Sequence, residues 1–214
     1  MMTQKITIAG FLTAMMLSSM MYGAGIVSSA TSTIDFPHDQ SYINASQPTI
    51  IGTLRDDKNN PVKNQTVQIL INGTVIGTAL SDVNGIYRFS VAQVLADGQY
   101  QVSVICVNDA IVIGSNQFTI DTTLPSIAIT YPQEGDVVTI SNTVTISGTT
   151  ESEAMVVTFL DADTFGNICY ADAYGNWSID YEIDNGAHTI TAQATDIAGN
   201  QGDLSQVTNF SVNV

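Results

Sequence analysis

Asp172-Ala-Tyr-Gly175-Asn-Trp177, Gly186-Ala-His188-Thr-Ile190 and Thr195-Asp196-Ile-Ala-Gly199-Asn200 are the stretches on which this sequence turns. Each sets a turn residue, Asp or Gly, just before or after alternating apolar positions. That is the pattern of short strands joined by tight turns. Around them lie Asp121-Thr-Thr-Leu-Pro125 in front, Ile146-Ser-Gly148-Thr149 next, and Phe210-Ser-Val212 at the end.

Working back toward the N-terminus, the same order occurs a second time. Gly52-Thr matches Gly148-Thr149, and Asp82 matches Asp172. Gly85-x-Tyr87 matches Gly175-x-Trp177, Gly98-x-Tyr100-x-Val102 matches Gly186-x-His188-x-Ile190, and Phe118-Thr-Ile120 matches Phe210-Ser-Val212. The offset is about ninety residues, the size of one small sandwich and not of one solenoid turn. Within the first unit, Gln65–Ile71 and Thr74–Leu80 alternate on either side of Asn72-Gly73, a hairpin signal because both turn positions need positive φ. Residues 31–47, rich in Ser, Thr, Asn and Gln, read as a polar lead-in, and Asp121–Pro125 as the joint between units. No stretch beyond the first thirty residues keeps apolar residues at helical spacing.

The ordered set of pieces in the second unit resembles the bacterial immunoglobulin-like repeats of surface adhesins and biofilm proteins. The first unit also resembles carboxypeptidase-regulatory domains, through Gly52-Thr-Leu, Pro61-Val62, Ser81-Asp82-Val-Asn84-Gly85-Ile-Tyr87 and Gly98-x-Tyr100-x-Val102. Both resemblances imply an all-β chain. The expected architecture is two tandem seven-stranded Greek-key immunoglobulin-like β-sandwiches after a signal peptide. The expected divisions are 1–30 for the signal, 31–120 for the first sandwich and 121–214 for the second. Trp177, Ile179, Ile190, Ala192 and Phe210 are expected in one core, with Tyr87, Phe89, Val102, Val104 and Phe118 in the other.

The signal reading rests on Lys5, an uncharged run from Ile6 to Val27, and small residues at Ser28-Ser29-Ala30. Cleavage near Ala30 would leave no integral membrane span and an exported chain: extracellular, at the cell surface or in the periplasm. The net charge is −15, from 5 Lys+Arg against 20 Asp+Glu. All five bases lie at or before Arg88; from Asp121 onward there are thirteen acids and no Lys or Arg. A nucleic-acid partner needs a basic footprint, which is missing. Cys106 and Cys169 fall in different units and are expected to remain unbonded to each other.

No nucleophile elbow or cleft-building insertion accompanies the two histidines, His38 and His188, or the paired carboxylates Glu151/Glu153 and Asp161/Asp163, so no enzyme is expected. His188 occupies the place of Tyr100, the position of the tyrosine corner of immunoglobulin sandwiches. Asp161-Ala-Asp163-Thr-Phe-Gly166-Asn lacks the ligand set of a calcium loop and reads as a polar hairpin. A calcium site is instead expected at the joint. The loops at the end of the second sandwich where the chain enters carry Glu151 and Glu153, then Asp172, then Asp196, Asn200 and Asp203, with Asp121 entering beside them. The bland reading of Asp172 and Asp196 is that they cap turns by bonding their own backbone.

The functional expectation is a non-enzymatic exported structural or adhesive protein, calcium-stiffened, whose partner is a protein or glycan at a cell surface. The alternative is a small secreted or periplasmic carbohydrate- or peptide-binding module. Phe165, Tyr170, Tyr174 and Tyr131 are its candidate stacking aromatics.

Overall fold

The computed structural model describes residues 30–107 and 111–214, so the expected signal segment lies outside the described residues except for Ala30. Every element among them is a strand, and no helix is long and apolar enough to cross a membrane.

In the first sandwich, β1 (Thr31–Phe36), β3 (Thr49–Arg55) and β6 (Ile86–Ser90) form a three-stranded sheet in the order β1-β3-β6. It faces a five-stranded sheet in which β2 (Ser41–Ile43), β8 (Ile111–Ile120), β7 (Gly98–Cys106), β4 (Thr66–Ile71) and β5 (Thr74–Leu80) lie side by side. The second sandwich repeats the plan. Its smaller sheet is β9 (Ala128–Tyr131), β11 (Thr143–Thr149) and β14 (Asn176–Glu182). Its larger sheet runs β10 (Asp136–Val138), β16 (Thr208–Val212), β15 (Gly186–Thr195), β12 (Met155–Leu160) and β13 (Asn167–Tyr170).

The lead-in expected at 31–47 is therefore not a lead-in. β1 pairs antiparallel with β3, and β2 pairs parallel with β8, so the first strand of the sandwich starts in one sheet and finishes in the other. β9 and β10 do the same in the second unit, β10 parallel to β16. Each crossing follows an X-Pro bond in the cis form, at Pro37 and at Pro132. With the first strand divided, each sandwich has eight segments where seven strands were expected. Ile34 and Ile43 are the only buried residues of β1 and β2, too few apolar anchors to show a period in the sequence.

Alternation fixes which residues face inward. β3 buries Ile50, Gly52 and Leu54, and β11 buries Val144, Ile146 and Gly148. Opposite the two glycines stand the central aromatics: Gly52 pairs with Tyr87, and Gly148 with Trp177. A Cβ on Gly52 would strike the Tyr87 hydroxyl and the Thr33 carbonyl; one on Gly148 would strike the Trp177 indole and the Ala128 carbonyl. Tyr87 donates to the Thr33 carbonyl at 2.9 Å, and burial pushes its phenol up to about 12. Both expected cores form, with Phe89 and Ile179 packed at their margins. Cys106 and Cys169 are both free thiols.

Candidate functional site

One five-residue turn recurs four times, each time built on an aspartate. In Asp56–Asn60, Asp82–Ile86, Asp172–Asn176 and Asp196–Asn200, the first residue's N–H bonds the fifth residue's carbonyl, and the fourth N–H bonds the first carbonyl. In each, a carboxylate oxygen of the Asp accepts the fifth residue's N–H at 2.8–2.9 Å. The fourth residue has positive φ: Asn59 at 64°, Gly85 at 78°, Gly175 at 82° and Gly199 at 89°. Glycine suits that position because it lacks the Cβ that makes positive φ costly. The turn-capping reading of Asp172 and Asp196 thus holds. The Asn176 N–H chiefly keeps the Asp172 carboxyl below its ordinary range.

At the joint, the linker is bonded to both units. Asp97, ahead of β7, accepts from the Thr122 N–H at 3.0 Å, the Thr122 hydroxyl at 2.8 Å and the Thr123 hydroxyl at 2.9 Å. Those hydroxyl bonds hold its carboxyl below the usual range. From the other side, the Asn200 amide donates to the Asp121 carbonyl and to Asp196, each at 2.8 Å. Asp196 and Asn200 are both buried, at 7% exposure. Nothing in the sequence marks Asp97; Asn200 is expected at this end, but not the reach of its amide to the Asp121 carbonyl. Sequence gives the turn but not what its last side chain reaches across space.

Of the six carboxylates expected to share an ion, Asp121, Glu151 and Asp196 come within electrostatic reach of one another. Burial first, then the charges of Asp196 and Asp121, push the Glu151 carboxyl above its ordinary value. Glu153 and Asp203 are exposed, and the Glu153 N–H donates to the Asp172 carbonyl at 3.3 Å. Among the described residues no three His, Cys, Asp or Glu side chains are placed to hold a metal ion.

The corner tyrosine of the first sandwich and its replacement in the second can be compared within one chain. The Tyr100 hydroxyl donates to the Ala96 carbonyl at 2.9 Å, and its ring stacks on Phe118 with centroids 5.8 Å apart. His188 reproduces both contacts. Its Nε2 lies 2.9 Å from the Asp184 carbonyl, again four residues back, and its ring is 5.8 Å from Phe210. Its Nδ1 additionally meets the Asp161 carboxylate at 2.8 Å. Both ring nitrogens face acceptors, which only the doubly protonated ring satisfies. Burial pulls the imidazole's pKa down. The bond to Asp161, the Asp184 carbonyl and the two aspartate charges outweigh it and hold the ring above its ordinary value. The 161–166 hairpin loop is polar as expected, and its first residue is spent on this corner: Asp161 also accepts the Thr189 N–H at 2.8 Å.

The four aromatics weighed as platforms are all exposed: Tyr131 41%, Tyr170 68%, Phe165 87% and Tyr174 91%. Tyr170 borders an open hollow of about 470 Å³ on the outside of the β9-β11-β14 sheet.

The profile of a bacterial Ig-like domain family matches residues 27–122, and that of a bacterial Ig domain family matches residues 125–192. A sequence comparison with curated proteins found no match. Among solved structures, the fibronectin(III)-like modules of Clostridium thermocellum CbhA align over 86% of this chain and 94% of theirs, at 17% identity and a TM-score of 0.53. At that identity the likeness is one of fold. A structure from a 1.5-MDa bacterial ice-binding adhesin aligns over 87% of this chain and 65% of its own, at 21% identity and a TM-score of 0.40.

Proposed function

Because this chain is a tandem of two bacterial immunoglobulin-like domains, we propose that it serves as an exported, non-catalytic structural and adhesive element. The observation that carries this reading is the linker. A flexible tether would leave its polar groups to water. Here Asp97 grips Thr122 and Thr123 from one sandwich, while Asn200 grips the Asp121 carbonyl from the other. Two domains joined this way transmit position and load as one body, which is what a spacer on a surface has to do.

The test is protease shaving of intact cells with detection of the chain. Removal of the chain from outside, with a cytosolic marker spared, is the expected result. A chain that stays protected and fractionates with the cytosol overturns the reading.

A calcium ion at the joint belongs to this proposal, confined to Asp121, Glu151 and Asp196. What supports it is the crowding that raises the Glu151 carboxyl, in a unit with no Lys or Arg to offset it. An ion that binds only the folded joint raises stability by mass action, about 2.7 kcal/mol at a hundredfold excess over Kd. Thermal melts in calcium, in chelator and in sodium chloride of matched ionic strength decide the point. Equal melting temperatures in calcium and matched salt remove the ion from the proposal.

A further inference from the structure

We propose that the hollow beside Tyr170 is a binding subsite for an uncharged glycan. The argument comes from one backbone dressed in two ways. The smaller sheets of the two sandwiches correspond through their Gly52–Tyr87 and Gly148–Trp177 pairs. Outward-facing neighbours of those pairs therefore correspond too: Ile51 to Ser147, Thr53 to Thr149, Ile86 to Asn176, and Arg88 to Ser178. The edge strand ahead of the turn contributes Leu80 in one unit and Tyr170 in the other.

In the first unit this surface is closed to a polar ligand. Ile51, Ile86 and Leu80 are apolar, Arg88 spreads a long side chain, and Asp35 accepts the Thr33 and Thr53 hydroxyls at 2.7 and 2.8 Å. In the second unit every one of the apolar or cationic positions has become a short polar residue or a tyrosine. Lower on the same sheet, Thr143 and Thr145 spend their hydroxyls on Glu182 and Asp180. Toward Tyr170 the hydroxyls of Ser147, Thr149 and Ser178 bond no other group among the described residues. They line the hollow together with Asp172 and Asn176.

Asp172 holds its turn mainly through Oδ1, and Oδ2 meets only the Asn176 amide, at 3.3 Å. That leaves acceptor capacity on a carboxylate next to free hydroxyls and an amide. A polar concavity of about 470 Å³ lies in the size range of small-molecule sites. Its rim carries a tyrosine 68% exposed, and the adjoining turn carries Tyr174 at 91%. An aromatic ring presents a flat apolar face to the C–H side of a sugar ring, while hydroxyl, amide and carboxylate groups pair with sugar hydroxyls in both senses. Thirteen acids and no Lys or Arg from Asp121 onward repel uronates and other acidic sugars, so the ligand is neutral.

This inference deepens the adhesive reading by giving it a ligand class, and its chemistry can fail while the two-domain spacer stands. Trp177, the single tryptophan of the chain, borders the hollow and has a buried indole N–H without a partner. Its fluorescence is the reporter. The purified two-domain chain is titrated with maltohexaose, cellohexaose, mannohexaose and chitohexaose, and applied to an array of neutral and acidic glycans. The expected result is saturable binding of at least one neutral glycan, weakened tenfold or more by Tyr170→Ala and by Ser178→Arg, and unchanged by Leu80→Ala. Should Ser178→Arg disturb the sheet, Tyr170→Ala, at so exposed a position, carries the test with its melting temperature as control. No binding to any neutral glycan, binding insensitive to Tyr170→Ala, or binding confined to acidic glycans or to peptides overturns the proposal. So does a loss of binding that Tyr170→Phe, which keeps the ring, fails to restore.

Discussion

His188 does with an ionisable ring what Tyr100 does with a neutral hydroxyl, and the two therefore answer pH differently. The His188 pKa is raised from 6.5, so its contribution to stability is complete below that value and lost as pH rises through the folded pKa. Asp161 is lowered from 3.8, so its share is present above that value and lost as pH falls through its folded pKa. The pair is strongest between those limits. Asp161 is half exposed, so the bridge is worth at most about 1 kcal/mol. His188→Tyr keeps the ring against Phe210 and can still reach the Asp184 carbonyl. We expect the wild-type melting temperature to fall relative to His188→Tyr between pH 6 and pH 8; parallel curves over that range would count against the bridge. Glu151 runs the other way. Its carboxyl is raised from 4.5, so its charged form opposes folding at neutral pH and ceases to do so as pH falls through the folded pKa. Glu151→Gln should raise the melting temperature at pH 7 in chelator, with the difference vanishing near pH 4.

At the level of elements, two devices set the sandwiches: the glycine under the central aromatic, and the aspartate turn. Gly148→Ala puts a methyl into the Trp177 indole and the Ala128 carbonyl, and neither can retreat without moving β9 or β14. Overpacking of that kind costs about 1–3 kcal/mol. Gly135→Ala is a matched control for an added methyl, since nothing lies within 4 Å of its Cβ position, although its φ of 83° carries a penalty of its own. Chemical denaturation of both variants should rank Gly148→Ala well below Gly135→Ala. Among the turns, Asp196 is the one to remove, because it is buried and receives both the N–H and the amide of Asn200. Asp196→Ala leaves the Asn200 N–H and one of its two amide hydrogens without acceptors, the other keeping the Asp121 carbonyl, at about 1–3 kcal/mol. The same unfolding measurement checks it, and a loss below half a kcal/mol would show that water fills the gap.

At the scale of the whole molecule, the question is whether two sandwiches behave as one. The linker bonds predict that they do. Asn200→Ala breaks the amide bridge between the Asp121 carbonyl and Asp196. Asp97→Ala frees Thr122 and Thr123 on the other side. Small-angle scattering of the double variant should show a broader spread of maximum dimensions than the parent chain. Calorimetry should resolve two transitions where the parent has one or two closely coupled ones. Identical scattering profiles would mean that packing, not these bonds, fixes the joint.

The two-sandwich plan was readable from the sequence because its marks are local. Asp82 and Asp172 sit three residues before Gly85 and Gly175, Asn72-Gly73 closes a hairpin, and Val102, Val104 and Cys106 alternate along one face. Each is a preference of a few neighbouring residues, repeated at the same offset in both units. What tertiary structure alone decided depends on residues far apart in the chain. β1 and β2 hold too few apolar side chains to announce themselves, and exist because β3 and β8 offer them open edges. The six carboxylates assigned to one end divide into a turn cap at Asp172, exposed charges at Glu153 and Asp203, and a crowded trio of Asp121, Glu151 and Asp196, the last of which also caps a turn, since loop membership fixes an end but not a direction. The Tyr170 hollow needs an edge strand, a turn and a sheet face, contributed by β13, Asp172 and the β11–β14 pair. No window of sequence contains them all, because hydrogen bonding across strands, rather than order along the chain, brings them together.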